Sequence, residues 1–344
     1  MSVLDKLLKN TTIEQSNTLE DSEFFVPEDF IQTQVPMVNV ALSGRLDGGL
    51  TSGTTMFAGP SKNFKTAFAM LLLRAFLDKY PEGACLFYDS EFGAPLAYFE
   101  SFGIDKKRVI HVPVTDIEQL KFDLMKQLNE LTEDDKVLIV IDSIGNLASK
   151  KEVEDALEQK AVADMTRAKQ LKSLFRMVTP HLNIKSIPMV VVNHTYLELA
   201  SHPRTIVGGG TGSYYSADNI FIIGRQQDKN EATKEIEGYD FIINVEKSRF
   251  VREKSKIAVS VSFEHGISTW SGLMDVALES GHVINPKQGW YQRKGEEKNL
   301  RLKDTNTREF WEPILQDKVF QKFVEDKYQV AQGSILQNLG DENE

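Results

Sequence analysis

The sequence contains one cysteine, Cys85, in 344 residues, which excludes an intramolecular disulfide. Because it sits in the apolar run Ala84-Cys85-Leu86-Phe87-Tyr88, its expected role is core packing in a reducing compartment. No stretch approaches the roughly 20 continuous apolar residues that a spanning helix needs, so no membrane role is expected. The opening run Met1-Ser2-Val3-Leu4-Asp5-Lys6 carries an acid early and lacks a long apolar segment, so no secretory leader is expected. The six histidines are scattered without metal-ligand spacing. Neither an internal repeat nor a low-complexity block is present. Positive charge is in short supply: 40 Lys and Arg face 50 Asp and Glu, for a net charge of −10. That excludes a surface coated for nucleic acid but leaves room for a local basic stripe that neutralises phosphates. The remainder, 41% hydrophobic and 26% charged, is the composition of a globular chain long enough for one large α/β domain with smaller appendages.

Residues 1–34 are polar and helix-permissive and end near Phe24-Phe25-Val26-Pro27, which predicts a small N-terminal appendage. From residue 35 to 265 short apolar runs alternate with longer helical stretches. The runs are Met56 to Ala58, Ala84 to Tyr88, Val137 to Ile141, Met189 to Val192, Asn219 to Ile223 and Phe241 to Val245. They are apolar throughout, as strands buried on both faces are, and strand–helix alternation predicts a mostly parallel sheet flanked by helices. Residues 266–335 mix helix with aromatic-rich turns and predict a small C-terminal α/β domain. Residues 336–344 end in the acidic Gly340-Asp341-Glu342-Asn343-Glu344 and predict a frayed tail.

The segment Gly59-Pro60-Ser61-Lys62-Asn63-Phe64-Lys65-Thr66 follows a strand and opens the helical run Ala67 to Leu77. A phosphate-binding loop needs this context, because successive backbone N–H groups and a helix N-terminus then converge on phosphate oxygens. Lys65 would reach the β- and γ-phosphates of ATP, and the Thr66 hydroxyl would hold Mg²⁺. The pattern departs from G-x-x-x-x-G-K-[ST] at its second glycine, which is Phe64. A phenylalanine does not cheaply adopt positive φ, so an ordinary backbone conformation is expected there.

Two further strand tips carry acids. Val137-Leu138-Ile139-Val140-Ile141 ends in Asp142, placed to order a Mg²⁺ shell. Leu86-Phe87-Tyr88 leads to Asp89-Ser90-Glu91, where Glu91 could orient or deprotonate an attacking water. Ligands gather at the carboxyl ends of sheet strands, so these acids and the loop can share one crevice. Tyr98 follows on an expected helix and could stack on an adenine, although an amphipathic core tyrosine would look identical in sequence.

In this order, the pieces resemble RecA-type recombinases. The resemblance is carried by Val38 to Gly44 with Gly48-Gly49-Leu50, by Tyr88-Asp89-Ser90-Glu91 and by Ile141-Asp142-Ser143-Ile144. It continues in Val192-Asn193-His194-Thr195 and in the C-terminal Gly266-Ile267, Gly272-Leu273, Asp275 and Gly289-Trp290-Tyr291. Within that family the bacteriophage UvsX branch also carries an aromatic in its phosphate loop. The runs Leu147 to Glu152, Val207 to Gly212 and Val245 to Arg249 strengthen that likeness.

The resemblance implies a RecA-like P-loop ATPase core, with Glu91 as the catalytic glutamate and His194 at the γ-phosphate sensor, where the family usually has glutamine. It implies two DNA-facing loops, about residues 149–160 and 195–217, the second holding Arg204 and Gly208-Gly209-Gly210. Arg167, Lys169 and Arg176 punctuate the helix after the first loop and are further DNA candidates, or else a solvated face. Lys247 and Arg249 match positions from which cations reach a neighbouring subunit's ATP. The implied partners are single- and double-stranded DNA, further copies in a helical filament, and a phage single-strand-binding protein and loader. The implied setting is the cytoplasm of an infected bacterial host. A RecA-core ring helicase and a nucleotide-regulated DNA-coating scaffold share many of these motifs and stand as alternatives.

Overall fold

The computed structural model describes residues 2–13, 15–22, 29–158, 166–198, 204–230 and 233–330. Phe24 to Pro27, the end of the first expected DNA loop, residues 199–203 of the second and the acidic tail lie outside the described residues. By its contacts the chain divides into Met1–Phe30 and Ile31–Glu344. The first unit carries helix α1 (Val3–Asn10), started by a capping box in which Ser2 and Asp5 satisfy each other's backbone amides.

The second unit begins with α2 (Pro36–Ser43), β1 (Gly53–Gly59), α3 (Lys65–Lys79) and β2 (Ala84–Asp89). Next come α4 (Leu96–Ser101), β3 (Val109–Pro113), α5 (Ile117–Glu130), β4 (Val137–Asp142), α6 (Lys150–Leu157) and α7 (Thr166–Ile184). The chain continues through β5 (Pro188–Glu198), β6 (Arg204–Val207), α8 (Gly210–Ser216), β7 (Asn219–Lys229), β8 (Ile236–Lys247), β9 (Lys256–Ser262) and β10 (Gly266–Ile267). It closes with α9 (Leu273–Glu279), β11 (Val283–Lys287), β12 (Trp290–Arg293), α10 (Arg308–Gln316) and α11 (Lys318–Tyr328).

Each of the six apolar runs lies within a strand. The sheet order is β10-β9-β8-β7-β1-β5-β4-β2-β3, with β6 paired to the outer part of β5. Strands β7, β1, β5, β4, β2 and β3 run parallel to their neighbours in that order, and β8 to β10 extend the sheet antiparallel. The parallel strands bury both faces because helices cover both. Phe57, Phe87, Val140 and Val192 face α3, whereas Met56, Tyr88, Ile141 and Val191 face the layer of α5 and α7.

That second layer is readable as periodicity. Ile117, Leu120, Leu124 and Leu128 form one stripe on α5, and Leu171, Leu174, Phe175, Val178 and Leu182 form one on α7. Asp116 starts α5 by accepting from the Gln119 amide. On the other face Trp311, Phe320 and Val324 of the C-terminal helices join the same core as Phe68 of α3. Residues 266–328 thus share apolar packing with the sheet, in addition to their own β11–β12 ribbon.

Candidate functional site: three strand tips around a phosphate loop

The site lies at the carboxyl ends of β1, β5, β4 and β2, which are adjacent in the sheet. β1 leads into the loop 60–64, which enters α3 at Lys65. Among the described residues no side chain caps the start of α3, so its first amides stay directed at whatever occupies the loop. The loop is tied down from β7: Asn63 Nδ2 donates to Ile223 O at 2.6 Å and Arg225 Nη1 to Lys62 O at 3.2 Å.

Phe64 corrects the sequence expectation. It is left-handed, φ 62° and ψ 16°, and Lys62 shares that region at φ 64°. The chain must reverse into α3 here, and a left-handed residue makes the turn whatever its side chain. The strain of about 1–2 kcal/mol is offset by packing. The Phe64 ring stacks on Phe241 with centroids 4.5 Å apart and stands edge-on to Phe68 at 5.8 Å. The aromatic replaces glycine because its ring has a place to go.

Lys65 is buried and its amine donates to Pro60 O at 2.8 Å. Desolvation lowers its pKa, opposed by the charges of Glu91 and Asp142. Thr66 Oγ1 donates to Asp142 Oδ2 at 2.7 Å, so the loop and the β4 tip meet. Asp142 is buried, and its second oxygen, Oδ1, has no hydrogen-bond partner among the described residues. Its pKa is pushed up to about 6, chiefly by desolvation and further by the carboxylates of Glu91 and Asp89, against the Thr66 hydrogen bond and Lys65. An orphaned carboxylate oxygen beside a threonine hydroxyl is a hard-oxygen donor pair, and such donors fit Mg²⁺.

Glu91 Oε1 is held twice: Ser143 Oγ donates to it at 2.5 Å and His194 Nε2 lies 2.7 Å away. The His194 hydrogen bond, followed by that from Ser143, lowers the Glu91 pKa against partial burial and keeps it a carboxylate. The turn that carries Glu91 is organised by Asp89, whose Oδ1 accepts from the amides of Glu91 and Phe92 at 3.0 and 2.7 Å. Asp89 Oδ2 contacts His111 Nε2 at 3.2 Å. Neither Asp89 nor Ser143 was assigned a task from sequence, although both stand inside the acid-bearing motifs. An acid two residues before a candidate catalytic glutamate is the signal for a turn-forming role.

His194 ends the fully paired part of β5, opposite Gly59 of β1. Immediately beyond it β5 pairs with β6, the described rim of the second expected DNA loop. Asn193 Nδ2 donates to Gly208 O at 2.8 Å, and the Gly208 amide donates to His194 O at 2.9 Å. Gly209 and Gly210 then turn the chain into α8 with φ of 89° and 75°. Arg204 and Gly210 are exposed and Gly209 is buried.

The expected basic residues divide. Lys169 and Arg176 are exposed on α7. Arg167 instead directs its guanidinium to the carbonyls of Ile144, Gly145 and Leu147, at 2.9, 2.8 and 2.8 Å. Lys247 and Arg249 lie at the other end of the sheet from the phosphate loop, since Lys247 pairs with Ile220 and Asn219 with Thr55. There Lys247 Nζ donates to the carbonyls of Tyr214, Tyr215 and Ala217 at the end of α8, and Arg249 pairs with Asp218 at 2.5 Å. Tyr98 lines a cavity of about 440 Å³ with Phe64, Val261, His265, Gly266 and Ile267. Burial raises the Tyr98 phenol to about 12, helped by the charge of Asp142.

Fold and site together define a RecA-like α/β core built around a phosphate loop. The chain belongs to the RecA family: the RecA N-terminal domain model matches residues 29–268. The C-terminal domain model of the bacteriophage T4 recombination and repair protein matches residues 270–324. The chain is similar to the recombination and repair protein of Enterobacteria phage T4, 48% identical over 95% of this chain and 85% of the relative. More distant relatives include Protein RecA of Parasynechococcus marenigrum, 26% identical over 73% of this chain and 65% of that protein. Another is Protein RecA of Prochlorococcus marinus MIT 9303, 26% identical over 76% of this chain and 67% of that protein.

Proposed function

We propose that this chain is an ATP-driven recombinase that forms helical filaments on single-stranded DNA and exchanges strands with a homologous duplex. The observation that carries the reading is the convergence of Thr66, Asp142, Glu91 and His194 around the loop that presents Lys65. Family membership and the phage T4 relative support a role in phage recombination, repair and recombination-dependent replication.

In this reading the amides of residues 59–66 and the Lys65 amine hold the β- and γ-phosphates. Lys65 leaves the Pro60 carbonyl to do so, exchanging a neutral acceptor for a charged one. Thr66 and Asp142 hold Mg²⁺, which supplies neutralisation of charge on the phosphate oxygens. Glu91, kept ionised by His194 and Ser143, orients the attacking water through its carboxylate. His194 senses the γ-phosphate and passes its position to the β5–β6 rim through the Gly208 contact. Tyr98 and the cavity beside Phe64 receive the base.

Lys247 and Arg249 cannot serve their own subunit's phosphate loop from the far end of the sheet, which supports a task toward the neighbour in a filament. Such cations stabilise charge on the transferring phosphoryl group only after assembly, coupling ATP binding to polymerisation. The glycine-hinged 204–217 segment with exposed Tyr215 suits unpaired bases and backbone. The partners of this function are single- and double-stranded DNA, further copies of the chain, and a phage single-strand-binding protein and loader, in the host cytoplasm.

The test is strand exchange between circular single strands and linear duplex, with the wild type and K65A compared under ATP and Mg²⁺. The wild type forms joint molecules and K65A forms none. Full exchange by K65A overturns the ATP-driven reading.

A further inference from the structure

His194 reaches Glu91 through a slot whose floor is Gly145. A Cβ added to Gly145 would lie 2.3 Å from His194 Cδ2, 3.1 Å from Cγ and 3.3 Å from Nε2. Real Cβ atoms do not approach a ring that closely, so a side chain there displaces the imidazole. Gly145 is absent from the positive-φ glycines, so its backbone accepts alanine without strain and space is what the site requires of it.

The floor is fixed. The Ile144 amide donates to Val192 O at 3.1 Å, pinning the turn to β5 two residues before His194. Arg167 then staples the carbonyls of Ile144, Gly145 and Leu147 through Nε and Nη2. The opposite wall is fixed as well, because Glu91 Oε1 is also held by Ser143 Oγ. Asn193 Oδ1 accepts from the His194 amide at 2.8 Å, so the backbone of His194 has no slack either. A displaced ring therefore breaks its contact with Glu91.

We propose that Gly145 is a positioning residue for hydrolysis, its missing side chain seating His194 on Glu91, and that Arg167 holds this floor in place. The proposal rests on the ATPase reading above, but its geometric half is measurable without ATP.

The experiment is a double-substitution cycle in the full chain: wild type, G145A, H194Q and G145A/H194Q. The imidazole signals of His194 are followed by NMR in histidine-labelled, nucleotide-free protein and assigned by their loss in H194Q. DNA-stimulated phosphate release is measured on the same samples. G145A is expected to shift the His194 signals and to lower kcat by about tenfold to a hundredfold, the scale of a small misplacement in an active site, with KM for ATP little changed. In the H194Q background, where no ring fills the slot, the same substitution should change kcat by less than about twofold. Equal loss in both backgrounds, or unmoved His194 signals in G145A, overturns the proposal. If G145A alone does not fold, a folded G145A/H194Q meets the prediction by the same steric relief, and failure of both to fold overturns it. A wild type that releases no phosphate defeats the ATPase reading and leaves the His194 signals to decide the slot.

Discussion

Asp142 stores a charge penalty that substitution should release. Its carboxyl sits near 6, against about 4 for an exposed aspartate, because burial disfavours the ionised form. The difference of about 2 pH units corresponds to about 3 kcal/mol of lost stability when the group is fully ionised. The folded value is raised, so the penalty is absent below about pH 4, grows between about 4 and 6, and is constant above. At pH 5 it is about half its full size.

D142N removes it. Its amide oxygen can still accept from Thr66, and its neutral NH₂ replaces the unpartnered Oδ1 and ends the repulsion from the Glu91 and Asp89 charges. Lys65 loses one attracting charge, so the expected gain is about 1–3 kcal/mol at pH 8. That is a rise in Tm of about 1–4 °C without Mg²⁺. Thermal unfolding with chelator at pH 5 and pH 8 reads it. With Mg²⁺ and ATP the order reverses, because the wild type, which keeps both Mg²⁺ donors, gains more ligand-linked stability than the variant. A variant no more stable than wild type at pH 8, or a gain of equal size at both pH values, refutes the reasoning.

Further outcomes follow from the same geometry. Mg²⁺-dependent nucleotide binding by the wild type should weaken on acidification below about pH 6, by up to about tenfold per unit, as Asp142 takes a proton; titrations at pH 5, 6, 7 and 8 check this. F64G restores the usual loop pattern and relieves left-handed strain, yet it should destabilise the fold by about 1–3 kcal/mol because stacking on Phe241 is lost, while nucleotide binding persists. Chemical denaturation and fluorescent-nucleotide binding separate these two effects. K247M removes the cation from the end of α8, so hydrogen exchange in 210–217 should accelerate while the amides of β1 and β5 stay protected.

The parallel sheet was legible because its strands are buried on both faces and therefore read as unbroken apolar runs. The phosphate loop, Asp142 and Glu91 were legible because their chemistry is local: each stands at a strand tip within one short motif. Phe64 misled, because its backbone is dictated by the loop and its compensation comes from Phe241, 177 positions away in the chain. Arg167 misled in the opposite sense. A basic residue after an expected DNA loop reads as a nucleic-acid contact, but here it is partly buried against the carbonyls of residues 144, 145 and 147. No local pattern discloses a cation committed to its own chain. The Gly145 slot was equally silent, since it exists only where β4 and β5 lie side by side.

Phosphate release with and without single-stranded DNA, for wild type and E91Q, tests most directly whether these strand tips form an ATP-hydrolysing centre coupled to DNA. Wild type should hydrolyse ATP slowly alone and many-fold faster with DNA, and E91Q should bind ATP and DNA while releasing phosphate at least about a hundredfold more slowly. Release from E91Q at the wild-type rate, or a wild-type rate indifferent to DNA, contradicts it.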